Sequence, residues 1–246
     1  MSWYLLAAFL SGYEGESLKL YLAAARRPEF MSYRRFLRGG HLIDIQWLVD
    51  YIFDALSELP IRLSNQSSLF LVTTTNVTTG RAHFVACNGG SLKTALQAST
   101  SLPLLNRHFP LIEGEPHTDG GIAANIPIQE AIARGARRIM VIRARPDSYV
   151  KTDSLFHRLI RLKLRAHPEL VATMRQRVLR HRQTVELLQS PPPGVEIIDI
   201  SPPEQFGAGR FSRSPRQLRQ GYQLGLAASK EAMAQWREAF SHRPPP

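Results

Sequence analysis

The segment His117-Thr118-Asp119-Gly120-Gly121-Ile122-Ala123-Ala124-Asn125-Ile126-Pro127-Ile128 sets an acidic side chain directly before two glycines, with a proline after a short turn. Glycine lets the backbone approach a neighbour closely, and proline suits the first turn of a helix. The pattern therefore puts a carboxylate at a mouth rather than in a wall. Loops on a rigid scaffold are where catalytic groups are commonly carried. An isolated Asp-Gly-Gly is more often simply a tight turn, so the neighbours decide. His117 stands two residues from Asp119, but a lone histidine in a polar loop is ordinarily a solvated one. Ser99, Thr100 and Ser101 lie upstream, and their expected role is capping and turn chemistry.

Those neighbours carry a pattern. Ser91 to Leu105 reads as a short helix opened by Ser91, ending near Ala98 and stopped at Pro103. Ile126 to Ala136 has Ile128, Ala131 and Ile132 at helical spacing and a Gly135 brake, and Ile139-Met140-Val141-Ile142 follows as a short apolar strand. The order helix, Ala98-Ser99-x-x-Leu102-Pro103, loop, Asp119-Gly120-Gly121, helix, strand resembles the C-terminal half of the patatin-like phospholipase family. The stretches Arg27-Pro28-Glu29-Phe30 and Arg35 to Asp44 resemble a bacterial subgroup of it. The resemblance covers most of the chain.

Ester hydrolysis needs a nucleophile, a group that takes its proton and donors for the developing oxyanion. The resemblance implies a Ser–Asp dyad in which Asp119 is the general base, with Gly120 and Gly121 giving the backbone room beside the acyl chain. Asp44, Asp147, Asp153 and Asp199 are the other carboxylates weighed. Asp44 and Asp199 fall in expected regular elements, where a surface or capping role is ordinary. The family's serine sits in a Gly-x-Ser-x-Gly elbow preceded by a glycine-rich oxyanion loop, and neither motif occurs in these 246 residues. Matched to the family, Met1 to Gly12 resembles the helix that follows the elbow. The expectation is thus an N-terminally truncated chain, inactive on esters and marginally soluble, whose serine falls at or before residue 1. Ser2 falls near the second glycine of the missing motif, and a terminal residue with no preceding strand cannot be held on a strained elbow.

The 246 residues have room for one α/β domain, or for a core with a helical appendage. The net charge of +11 rests on arginine, because only five lysines are present, and it favours acidic partners. The single Cys87 cannot form an internal disulfide and reads as a small buried hydrophobe beside Asn88-Gly89-Gly90. The apolar N-terminus lacks a basic n-region, and Leu5 to Leu10 is short for a signal peptide and far too short to span a bilayer. Asn65-Gln66-Ser67 and Asn76-Val77-Thr78 match the glycosylation tripeptide, which matters only in a secreted protein. A cytoplasmic location, at most peripheral at the inner membrane face, is the expectation. No cofactor is expected, and no cluster of Cys, His and carboxylates suggests a metal.

The positioning elements follow from periodicity. Ser17 to Ala25 and Leu42 to Leu59 read as helices, the second ending near Pro60. Ser68 to Thr78 reads as a strand, Thr79-Gly80-Arg81 as a turn and Ala82 to Ala86 as the hairpin partner. Val195 to Ile200 is a late strand, Ser214 to Phe240 a terminal helix, and Pro244 to Pro246 a frayed tail. With the resemblance, this predicts a three-layer α/β/α sandwich with a mainly parallel, here incomplete sheet, plus a helical C-terminal region. The expected division is 1–146 for the acyl-hydrolase part and 147–246 for the basic helical region.

Within that region Leu155 to Leu188 interleaves arginines with leucines, and Pro168 divides it into two helices. One reading is a solvated face over a packed one. The other is a basic amphipathic surface resting on anionic membrane through Arg158, Arg161, Lys163, Arg165, Arg175 and Arg177. No nucleic-acid partner is expected, since no recognition signature appears. The leading reading is a serine acyl hydrolase acting on lipid esters. The alternative is a non-catalytic remnant whose basic helices bind anionic membrane or a protein.

Overall fold

The computed structural model describes residues 16–56, 68–87, 90–103, 105–106, 108–153, 155–207, 209, 212 and 214–240. The expected first helix with Ser2, the Leu59–Pro60 helix end, the Asn65 tripeptide, Asn88–Gly89 and the proline tail lie outside the described residues. Two compact units interleave along the chain, one holding residues to 126 together with 152–181, the other 127–151 and 182–246.

The first unit opens with helices α1 (Glu16–Ala25), α2 (Tyr33–Leu37) and α3 (Ile45–Ala55). Helix α3 begins three residues inside the expected span because Asp44 is its cap, its Oδ1 accepting the Trp47 N–H at 2.9 Å. Strands β1 (Leu71–Asn76) and β2 (Ala82–Ala86) form the expected hairpin, and α4 (Leu92–Thr100) runs two residues beyond Ala98. Two further strands, β3 (Leu111–Ile112) and β4 (Glu115–Asp119), form where the sequence predicts loop. They are joined by Glu113 and Gly114 with φ of 53° and 82°, the pair of left-handed residues that a two-residue hairpin requires.

The four strands form one sheet in the order β2-β1-β4-β3 with every pairing antiparallel. This corrects the expectation of a mainly parallel sheet. The short hairpins β1–β2 and β3–β4 permit only antiparallel neighbours, and β1 and β4 pair antiparallel across the longer connection that holds α4. The main core lies between α3, α4 and this sheet, with Val49, Ile52, Phe70, Val72, Leu92 and Leu96 all buried.

After β4 comes a single 3-10 turn, Gly120–Ile122. The basic segment forms helices α6 (Leu155–Lys163), α7 (Pro168–Arg175) and α8 (Arg177–Gln189), three rather than two, with Pro168 opening α7. Ile160, Leu164, Leu170 and Met174 make a second buried cluster with Val77 and Ile122. Gly80, at the β1–β2 turn with φ of 66°, fits because a Cβ there would lie 2.5 Å from the Glu169 carbonyl oxygen. Thr173 Oγ1 donates to the Gly80 carbonyl at 2.8 Å, so α7 is tied to the hairpin by contact and by hydrogen bond.

The second unit contains α5 (Ile128–Ala133), β5 (Arg138–Ile142), β6 (Glu196–Ile200) and α9 (Pro215–Phe240), with α9 packed against β6. Here the strands are parallel, Arg138 facing Glu196 through to Ile142 facing Ile200, across the long crossover that parallel pairing demands. Helix α5 is shorter than the expected Ile126–Ala136 and stops before Gly135, whose φ is 94°. Among the described residues no helix is long and apolar enough to cross a membrane.

Candidate active site

Asp119 is the last residue of β4 and caps the 3-10 turn that follows. Its Oδ1 accepts the Gly121 N–H at 2.7 Å. Among the described residues its Oδ2 has no hydrogen-bond or ion-pair partner, and the residue is half-buried. One oxygen thus fixes the orientation of the carboxylate.

The backbone around it is held from two sides, by the end of α4 and by β1. Asp119 N–H donates to the Ser101 carbonyl at 3.1 Å, and Thr118 Oγ1 donates to that same carbonyl at 2.6 Å. From β1, Thr75 Oγ1 donates to the Asp119 carbonyl at 2.8 Å and accepts the Ala123 N–H at 3.2 Å, bridging both ends of the turn. Ser101 is itself fixed at the end of α4, its hydroxyl donating to the Gln97 carbonyl at 2.8 Å and accepting from Asn106 Nδ2 at 3.0 Å. Thr100 Oγ1 donates back to the Leu96 carbonyl at 2.7 Å.

The two glycines play different parts. A Cβ on Gly120 would lie 2.1 Å from the Thr73 carbonyl oxygen, so the turn can close onto β1 only with glycine there. A Cβ on Gly121 would meet Asp119 Oδ1 at 3.0 Å, crowding the carboxylate rather than the sheet. Neither has a left-handed φ; close approach is what selects them.

His117 is buried, not solvated. Its Nδ1 lies 2.9 Å from Thr74 Oγ1, and its ring meets His83 edge-on at 5.1 Å. Burial first, and the neighbouring His83 second, pull its pKa below the ordinary histidine value. His117, two residues before Asp119 on β4, is a packing element beside Thr74 of β1 and His83 of β2. Burial likewise pushes the Cys87 thiol up to about 11, against smaller opposing effects of hydrogen bonds involving Val72 and Ser91. That is a thiol little ionised near neutrality.

The other carboxylates are engaged elsewhere. Asp44 caps α3. Asp199 accepts from Arg143 at 2.8 Å and 2.5 Å through its two oxygens, and Asp147 pairs with the same guanidinium. Asp153 forms a two-pronged pair with Arg161, both contacts at 2.7 Å, and Arg161 holds its carboxyl below the usual range.

Sequence reasoning missed one group that holds the turn. Arg180, on α8, donates to the Ile122 carbonyl at 3.0 Å and also to the Thr173 carbonyl. Burial lowers its pKa below the ordinary arginine value. In the sequence it is one arginine among many in a basic run, and only the three-dimensional packing of α8 turns it inward.

Comparison with known proteins places residues 3–132 on the model of a family described as patatin-like phospholipase. Residues 167–241 match a second model, a domain of unknown function (DUF6363). The uncharacterized protein YjjU of Escherichia coli (strain K12) is 28% identical over 243 residues, which cover 93% of this chain. The chain spans 65% of the length of that relative.

Proposed function

Since the chain belongs to the patatin-like phospholipase family, we propose that Asp119 is the carboxylate of a Ser–Asp dyad that hydrolyses lipid esters, with the serine supplied from outside these 246 residues. The observation that carries this reading is the setting of Asp119. It ends a paired strand, one oxygen is pinned by Gly121 N–H, and the backbone is clamped by Thr75 and Ser101. A general base works only if its orientation is fixed before the reaction.

In the proposed reaction the serine hydroxyl attacks the ester carbonyl while the Asp119 carboxylate takes its proton. The tetrahedral intermediate collapses by breaking the ester C–O bond, and the departing alkoxide receives that proton. Water then adds to the acyl-serine, giving up its proton to Asp119, and the fatty acid leaves as the serine oxygen is reprotonated. The Asp119-Gly120-Gly121 turn is the part of this machinery carried here.

The test is hydrolysis of a p-nitrophenyl ester by the 246-residue chain and by the polypeptide obtained when the reading frame is continued upstream through a Gly-x-Ser-x-Gly segment. The reading expects no turnover above background from the first and turnover from the second. Turnover by the 246-residue chain itself would overturn the placement of the nucleophile.

A further inference from the structure

Helix α6 presents three faces with different chemistry. Ile160, and Leu164 one residue past the helix end, are 2% and 6% exposed and sit in the second core cluster. Leu155, Leu159 and Leu162 are 74%, 59% and 65% exposed, at the i, i+4, i+7 spacing that lines one helical face. At about 100° per residue those leucines point nearly opposite to Ile160 and Leu164, so their exposure is directed outward, not incidental to a shared boundary. Exposed Arg158 flanks the leucine row on one side and exposed Lys163 on the other, with exposed Arg165 in the turn that follows.

Beside this row, between α6 and α7, lies a shallow depression of about 520 Å³ lined by Arg158, Arg161, Leu162, Arg165, Val171 and Arg175. Arg161 is committed to Asp153, which leaves Arg158, Arg165 and Arg175 to set the sign of the depression. The combination is an apolar row with a cationic border, on a chain of net charge +11.

We infer that this face docks on an anionic phospholipid bilayer, the leucine row entering the boundary between headgroups and acyl chains while the basic border contacts lipid phosphates. Charge complementarity sets the sign of the partner, and the leucines choose among anionic partners. A nucleic acid would leave three leucines against water, and leucine offers no flat face for base stacking. The nine residues of α6 span about 14 Å, roughly half of a bilayer's hydrocarbon thickness, so the helix lies along the surface. A basic apolar helix lying in the interface plane is a known mode of surface attachment. The inference stands independently of the Asp119 dyad, although a hydrolase of lipid esters would gain from it.

The experiment is co-sedimentation of the full 246-residue chain with vesicles of phosphatidylcholine containing roughly a quarter phosphatidylglycerol, and with vesicles of phosphatidylcholine alone. Expected is binding to the anionic vesicles that weakens with salt and little binding to neutral ones. L155Q/L159Q/L162Q, all at exposed positions that leave the core intact, should lower the partition coefficient at least tenfold. Each neutralisation in R158Q/K163Q/R165Q should lower it about fivefold. D119N should bind as the parent does, which separates this surface from the dyad. Equal binding of the leucine variant and the parent would overturn the inference, as would equal binding to both vesicle types. Absence of vesicle binding, with or without leucine-dependent self-association, would overturn it too.

Discussion

At Gly120 the fit between turn and sheet is set by a single missing methyl group. The 2.1 Å approach of a Cβ to the Thr73 carbonyl oxygen is a collision of side chain with strand backbone, and the strand is held on both sides by its neighbours. G120A should therefore cost at least about 1–3 kcal/mol of stability. G121A, which meets only the Asp119 carboxylate oxygen at 3.0 Å, should cost far less. Urea unfolding of the two variants measures the difference, and coincident midpoints would contradict it. The residue types at this site were legible in the sequence, since Asp119-Gly120-Gly121 stands out by composition. Their setting was not. Pro116, His117 and Thr118 give no apolar alternation, so the strand they form reads as loop, and the buried His117 reads as solvated. The hydroxyl of Thr75 and the carbonyl of Ser101 left no signal either, because a threonine-rich strand and a helix end look the same whichever partner they serve.

At the scale of elements, the turn depends on a helix far away in sequence. Arg180 on α8 reaches the Ile122 carbonyl, and its guanidinium also holds the end of α7 through Thr173. R180M should remove hydrogen bonds from a charged, half-buried donor and cost about 1.5–3 kcal/mol. It should also accelerate hydrogen exchange at Ala123 and Ala124, whose N–H groups close the turn onto Thr75 and Gly120. Unchanged exchange there in R180M would show that the arginine is incidental. Most helices and the β1–β2 hairpin were legible because hydrophobic period and proline punctuation act locally. Strand direction was not. It follows from the β1–β2 and β3–β4 hairpins and from the long-range pairing of β1 with β4, and the Glu113-Gly114 turn that fixes β3 against β4 is only two residues long. The basic run shows the same limit, for the charge pattern gives an arginine-rich helix pair without telling that Arg161 is paired, Arg180 turned inward and Arg158 outward.

For the whole molecule, a patatin-like phospholipase sequence over residues 3–132 is followed by a second matched region at 167–241, and the chain spans 65% of the length of the Escherichia coli relative. The carboxylate proposed for the dyad ends a strand of the antiparallel sheet, and the helix that opens the basic segment carries the surface proposed for anionic lipid. The proposed role of Asp119 as general base is tested most directly by ester turnover in the upstream-extended polypeptide carrying D119N. The carboxamide keeps the size and can still accept the Gly121 N–H, but it cannot take a proton. The expected result is a fall in kcat of at least about a hundredfold, the scale on which general-base catalysis contributes, with D147N at the parent level. Turnover by D119N within a few-fold of the parent would contradict the assignment.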